Sequence, residues 1–155
     1  MDIIEINHLT KSYGRSCGIS DLSLNIAQGG ILRFIGPNGA RKSTTIRILL
    51  NLIFPTSGKA TIFGLDVVKD SKKIRNRIGY VPSDASIYDR MKVIEFLKYG
   101  AAFYHADHND DRIRYLLGLF DLDPGRNIAE LSMGNKKKGS IIQSMIHQPE
   151  LLILE

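Results

Sequence analysis

Thiol chemistry is almost missing from this 155-residue sequence, which holds one cysteine, Cys17. No internal disulfide can form, a composition that fits a reducing compartment, and Cys17 reads as loop filling. Long apolar runs are also missing. The longest, ILLNLIF and LLIL, fall far short of the roughly 20 residues needed to cross a bilayer. The opening MDIIEINHL carries no basic segment of the kind that begins a secretory signal, so neither a span nor a leader is expected. Internal repeats and low-complexity tracts are absent too. No spacing suggests a Ser-His-Asp triad or a catalytic pair of carboxylates. The stretch HADHNDD gathers His105, Asp107, His108, Asp110 and Asp111, a set that invites a metal reading. A simpler account serves: the histidines close one helix and the acids open the next, where the helix dipoles favour those charges.

What is present is ordinary globular composition, 43% apolar and 24% charged, enough for one domain with a hydrophobic core. The net charge of +5 would suit a polyanion, an acidic surface or a nucleotide, and charge alone does not choose. The basic residues are scattered except in NKKKG, which reads as a solvated helix face. Nothing else resembles a nucleic-acid module, and no nucleic-acid partner is expected.

Along the chain, DIIEINHL and SDLSLNIA alternate apolar and polar residues around the turn YGRS, predicting two half-buried antiparallel strands. ILRFIG is nearly continuous in apolar character and reads as a strand buried on both faces. Ile46, Leu49, Leu50 and Ile53 then recur at helical spacing. PTSGKATIFG is a turn and a short strand, DSKKIRNR a polar connection, and IGYVP a second compact buried strand stopped by its proline. Beyond Met91 the period is helical. Val93, Phe96, Leu97 and Gly100 share one face; Ile113, Leu116, Leu117 and Phe120 share another. After the loop DLDPGRN, Ser132 can cap a helix carrying Ile141, Ile142, Met145 and Ile146, and LLIL follows as a buried strand. Strands alternating with helices argue for an α/β core with a parallel sheet, decorated by antiparallel strands early and helices in the middle.

Between ILRFIG and the first helix lies GPNGARKST, close to the pattern G-x-x-x-x-G-K-[ST]. Its glycines let backbone N–H groups wrap a phosphate at a helix N-terminus, its lysine meets the β- and γ-phosphates, and its hydroxyl holds Mg²⁺. Gly36, Lys42 and Ser43 fill three of the four fixed positions, with Pro37, Asn38, Gly39 and Ala40 between and Thr44 after. Arg41 stands at the fourth, where a side chain must find room beside the phosphates. Weakened binding is expected, offset in part because arginine pairs well with phosphate oxygens.

The motif order LTKSYG, IGPNGARKSTT, IGYVPSD, LSMGNKKK, HQPELLILE resembles the nucleotide-binding domain of ABC transporter ATPases over the whole chain. The resemblance implies a P-loop ATPase core with an antiparallel β subdomain and a helical subdomain. Residues 1–83 would form the core and β subdomain, 84–130 the mainly helical subdomain, and 131–155 the signature helix and a Walker B-like strand. It further implies ATP and Mg²⁺ as cofactors, with Tyr13 stacking on adenine and Gly36 to Thr44 forming the Walker A loop. Leu131, Ser132, Met133, Gly134 and Asn135 would be the signature that meets the γ-phosphate on a second, head-to-tail ATP-binding subunit. A separate membrane-spanning subunit would be the transport partner, placing the protein in the cytoplasm at the inner face of the cell membrane.

Three departures from the family pattern shape the expected activity. Ser83 stands where a glutamine often senses Mg²⁺ and the membrane subunit, and its side chain is shorter. Glu155 replaces the Walker B aspartate, one methylene longer, beside the Mg²⁺ that Ser43 would also hold. The sequence ends there, ahead of the family's water-polarising acid and its switch histidine, as if truncated at the Walker B strand. Phosphoryl transfer depends on positioning and electrostatics, so little hydrolysis is expected from these residues. An open strand edge and uncovered apolar surface are expected as well. Two functional readings follow: an ATP-binding transport subunit with impaired hydrolysis, or a non-catalytic remnant or interaction module of the same fold. A DNA-associated ATPase with the same cassette is a weaker third.

Overall fold

A computed structural model describes residues 2–14, 16–34, 41–83, 90–104 and 109–155. They form two compact units, Met1–Arg75 and Asn76–Glu155.

The first unit is built on an antiparallel sheet. β1 (Asp2–Tyr13) and β2 (Ser16–Ala27) form a long hairpin. α1 (Arg41–Leu49) follows, then β3 (Ser57–Ile62), β4 (Leu65–Asp66) and the short helix α2 (Ser71–Arg75). The strand order is β2-β1-β3-β4. Strict alternation would send Ile4 and Ile6 inward and Leu9 outward, yet all three are buried. Register shifts explain this: between Ile6 and Leu9 the β1 strand carries one extra residue, and β2 carries one extra between Leu22 and Ile19. At these compensating bulges His8 and Asp21 both adopt φ of 50°, and their side chains meet at 2.7 Å. Gly58, at φ 82°, passes so close to this bulge that a Cβ would lie 2.3 Å from the His8 carbonyl oxygen.

Helix α1 buries Ile46, Ile48 and Leu49. The predicted apolar stripe extended to Ile53, but the helix stops earlier. Asn51 takes φ of 53°; its N–H bonds the Ile48 carbonyl at 2.9 Å and the Leu52 N–H bonds that of Arg47 at 2.8 Å. This is a Schellman cap with asparagine in the place of the usual glycine. A larger difference concerns ILRFIG. Ile31 to Phe34 form no strand, and Ile31 and Leu32 are exposed. A strand buried on both faces needs ladder partners, and none pairs with these residues among those described.

In the second unit β5 (Ile78–Val81) leads to three helices, α3 (Val93–Ala101), α4 (Asn109–Phe120) and α5 (Met133–Met145), and finally β6 (Leu151–Leu154). β5 and β6 pair in parallel, Ile78 with Leu151 through Val81 with Leu154. At the N-terminal end of this pair Arg77 grips Glu150 through two bonds of 2.6 and 2.7 Å. α5 packs on β5 at Gly79, where a Cβ would stand 2.3 Å from the Ser144 carbonyl oxygen. The predicted helix faces meet in one core that includes Val93, Phe96, Leu97, Ile113, Leu116 and Ile142. Leu152 and Leu154 are exposed, and β6 has β5 as its sole strand partner among the described residues.

Candidate functional site

The chain opens α1 at Arg41, so Lys42, Ser43 and Thr44 occupy its first turn; Gly36, Pro37, Asn38, Gly39 and Ala40 lie outside the described residues. The first N–H groups of a helix have no acceptor within it and, with the helix dipole, favour an anion. No acidic residue stands in this first turn to compete. Thr44 and Thr45 are buried and Lys42 and Ser43 half-buried, which anchors the turn against the unit.

Tyr13 ends β1 and is 49% exposed. Its ring lies against Gly18 of β2, where a Cβ would come within 2.9 Å of Tyr13 Cε2, and the Lys11 ammonium stands 5.2 Å from the ring centroid. A flat, accessible aromatic face is suited to stacking on a base.

At the start of α5, Ser132 caps the helix as its residue type predicts, its Oγ accepting from the Asn135 N–H at 3.3 Å. Leu131 is buried and anchors this turn, Met133 is 88% exposed, and Gly134 has, among the described residues, only Ser132 Oγ near its open side, at 3.9 Å. Again no acid occupies the first turn. A second anion-attracting helix end is thereby presented on an exposed backbone.

At the C-terminal ends of β5 and β6, Ser83 is exposed beyond Pro82 and Glu155 is half-buried. The Glu155 N–H continues the ladder to the Val81 carbonyl at 2.9 Å, and Tyr80 donates its phenolic O–H to Glu155 Oε2 at 2.6 Å. Lys137 Nζ donates to the Pro82 carbonyl at 2.9 Å and to the Glu155 main-chain oxygen at 3.4 Å. The NKKKG segment therefore departs from the expected solvated face: Lys136, Lys137 and Lys138 are each half-buried. A lysine stem packs along apolar surface while its ammonium reaches a polar end, which charge counting in sequence does not reveal. Tyr80 and Lys137 were not among the residues singled out by sequence, and no local pattern marks them.

In the same unit His147 stacks on Tyr104, centroids 3.8 Å apart and planes within 5°. Its Nε2–H donates to the Ile78 carbonyl at 3.1 Å, which leaves the buried Nδ1 as the acceptor nitrogen, without a partner among the described residues. Burial pushes this histidine below its ordinary value, and burial likewise raises Tyr104. The Arg77 guanidinium holds the Glu150 carboxyl below the usual carboxylate range. Of HADHNDD, His105, Asp107 and His108 lie outside the described residues, and Asp110 and Asp111 stand in the first turn of α4.

Set beside known proteins, residues 19–155 match the family model described as ABC transporter. The chain belongs to the ABC transporter family. It is 37% identical over 155 residues to the bacitracin transport ATP-binding protein BcrA of Bacillus licheniformis, covering 99% of this chain and 50% of that protein. It is 31% identical over 157 residues to the probable multidrug ABC transporter ATP-binding protein YbhF of Escherichia coli K12, covering 99% of this chain and 27% of that protein. The chain thus spans half or less of the length of these ABC transporter relatives. A solved structure described as the ATP binding subunit of an ABC transporter superposes with a TM-score of 0.87 at 27% identity, over 98% of this chain and 65% of that one. The mixed α/β fold is that of the ABC ATPase domain. Among the described residues no helix is long and apolar enough to cross a membrane.

Proposed function

We propose that the chain is the nucleotide-binding part of an ABC transporter ATP-binding subunit, which binds Mg-ATP to drive transport through a separate membrane-spanning subunit at the inner face of the cell membrane. The observation that carries this reading is the first turn of α1, where Lys42 and Ser43 stand at an acid-free helix N-terminus within the matched family region. In this reading residues 36–44 cradle the phosphates and Tyr13 stacks on adenine. The signature residues 131–135 engage nucleotide on a second, head-to-tail ATP-binding subunit. Residues 1–83, 84–130 and 131–155 serve as core with β subdomain, helical subdomain, and signature helix with Walker B-like strand. Mg²⁺, when bound, would supply charge neutralisation at the phosphates; the Ser43 hydroxyl in the first unit and the Glu155 carboxylate in the second are each hard oxygen donors of the kind it takes. Hydrolysis is impaired by Arg41 at a glycine position and by the longer acid at 155.

The exposure of Ile31 and Leu32 favours a second reading, a non-catalytic remnant or interaction module of the same fold, because a phosphate loop works on a supporting strand that is fixed in place. Thermal unfolding with and without Mg-ATP separates the two. Ligand bound only by the folded state raises the midpoint, by about 2.7 kcal/mol in stability at a hundredfold excess over Kd. A cooperative transition shifted upward supports the nucleotide-binding subunit; a transition indifferent to Mg-ATP supports the remnant.

A further inference from the structure

The longer acid at 155 has a partner that an aspartate would not reach in the same way. Tyr80 pairs with Ile153 across the parallel ladder, and side chains alternate along a strand, so Tyr80, Ile153 and Glu155 share one face of the β5–β6 pair. From that face the phenol extends toward the C-terminal end and donates to Glu155 Oε2 at 2.6 Å, the length of a charge-assisted bond. From the other side of the same end, Lys137 on the signature helix draws the Pro82 and Glu155 main-chain oxygens together, at 2.9 and 3.4 Å. One ammonium therefore spans the exits of both strands, and one phenol fixes the carboxylate between them. A glutamate has three side-chain torsions to settle before it can face a cation. Holding one oxygen in advance removes much of that ordering, the general benefit of preorganisation.

We propose that Tyr80 and Lys137 are positioning residues that hold the Glu155 carboxylate and the paired strand ends for Mg²⁺. This rests on the reading that Glu155 serves the Mg²⁺ of a bound nucleotide. Tyr80 restrains the carboxylate directly, and Lys137 restrains the main chain that carries it. Through Lys137, the strand ends and the helix bearing the signature are joined by hydrogen bonds within one unit.

The test is the affinity of the full chain for a non-hydrolysable ATP analogue, measured by titration calorimetry with Mg²⁺ and again with EDTA. The ratio of the two affinities reads the Mg²⁺ contribution apart from general binding. Tyr80→Phe is expected to lower that ratio about tenfold, the equivalent of one hydrogen bond to a charged group, with binding in EDTA unchanged. Lys137→Met lowers it in the same sense, while Lys137→Arg, which keeps a long cationic donor for the Pro82 carbonyl, retains most of it. In a Glu155→Asp background, where the shorter acid falls back from the phenol, Tyr80→Phe changes nothing further. An unchanged ratio in Tyr80→Phe and Lys137→Met overturns the inference and leaves nucleotide binding standing. Equal losses with Mg²⁺ and with EDTA overturn it as well, since they mark a general structural role. A wild-type chain that binds the analogue equally well under both conditions removes the Mg²⁺ role of Glu155, and a chain that does not bind it at all removes the proposed function together with the inference.

Discussion

Two apolar segments of similar promise took different forms. ILRFIG reads as a strand buried on both faces and LLIL as a buried strand, yet Leu151–Leu154 became β6, with Leu152 and Leu154 exposed, and Ile31 to Phe34 became no strand. Their intrinsic β preference does not separate them, because both are rich in isoleucine, leucine or phenylalanine. What separates them is company. β6 has β5 to satisfy its backbone, a bidentate Arg77–Glu150 clamp at one end of the pair, and Tyr80 and Lys137 at the other. Residues 31–34 have no ladder partner among those described. An apolar run is therefore a request for a sheet, and the rest of the molecule decides whether the request is met.

That difference can be attacked at several strengths. The largest effect is expected from Ile142→Ala, which empties a fully buried position in α5, the helix packed on β5; roughly 2–5 kcal/mol of stability should be lost in denaturant unfolding. Gly79→Ala comes next. Its Cβ meets the Ser144 main chain, which cannot swing away, so about 1–3 kcal/mol is expected to be lost as α5 is pushed from β5. Both changes should erode the environment that makes β6 a strand, and amide exchange at residues 151–154 should rise with them.

Acid should act more gently. The folded-state value of His147 is depressed, so the unfolded chain binds its proton first and stability falls as pH drops through the ordinary histidine range. A His147→Gln variant should flatten the melting temperature between pH 7 and pH 5 relative to the wild type. Glu150 is depressed by Arg77, so its contribution is present above the usual carboxylate range and fades as pH falls through the lowered value. Glu150→Gln should remove only a small part of the acid sensitivity below pH 4.5, because the pair is exposed to solvent and salt. The smallest effect belongs to the other segment: Ile31→Asn should leave stability within about 0.5 kcal/mol, since its side chain is already in water. A loss of several kcal/mol there would show that residues 31–34 are held after all and would undo the contrast.

Much of the second unit was legible in advance because helical periodicity reports a single buried face. Val93, Phe96 and Leu97 on α3, and Ile113, Leu116 and Leu117 on α4, stand in the core where their spacing places them. Ser132 was legible for a local reason as well, since a capping hydroxyl acts within three residues of itself. The first unit was less transparent. Two bulges, at His8 and Asp21, invert the inward parity partway along β1 and β2; the apolar phase slips there, from Ile6 to Leu9 and from Ile19 to Leu22, but a phase slip alone does not say which residue bulges. The end of α1 was hidden by an asparagine adopting the conformation usually left to glycine. At the candidate site, the lysine run concealed its own exception: one ammonium among three similar ones is drawn to two carbonyl oxygens far away in sequence.

Local and periodic information was thus enough to indicate most of the strands and helices, the Ser132 cap, and which faces of α3, α4 and α5 are apolar. These depend on residues three or four apart along the chain. Strand pairing, the parity of β1, the failure of residues 31–34 to join a sheet, and the hold of Tyr80 and Lys137 on the end of β6 came from the folded molecule. Each joins backbone or side-chain groups remote in sequence, and a hydrogen bond of that kind exists only when both partners have been brought to within about 3 Å of one another.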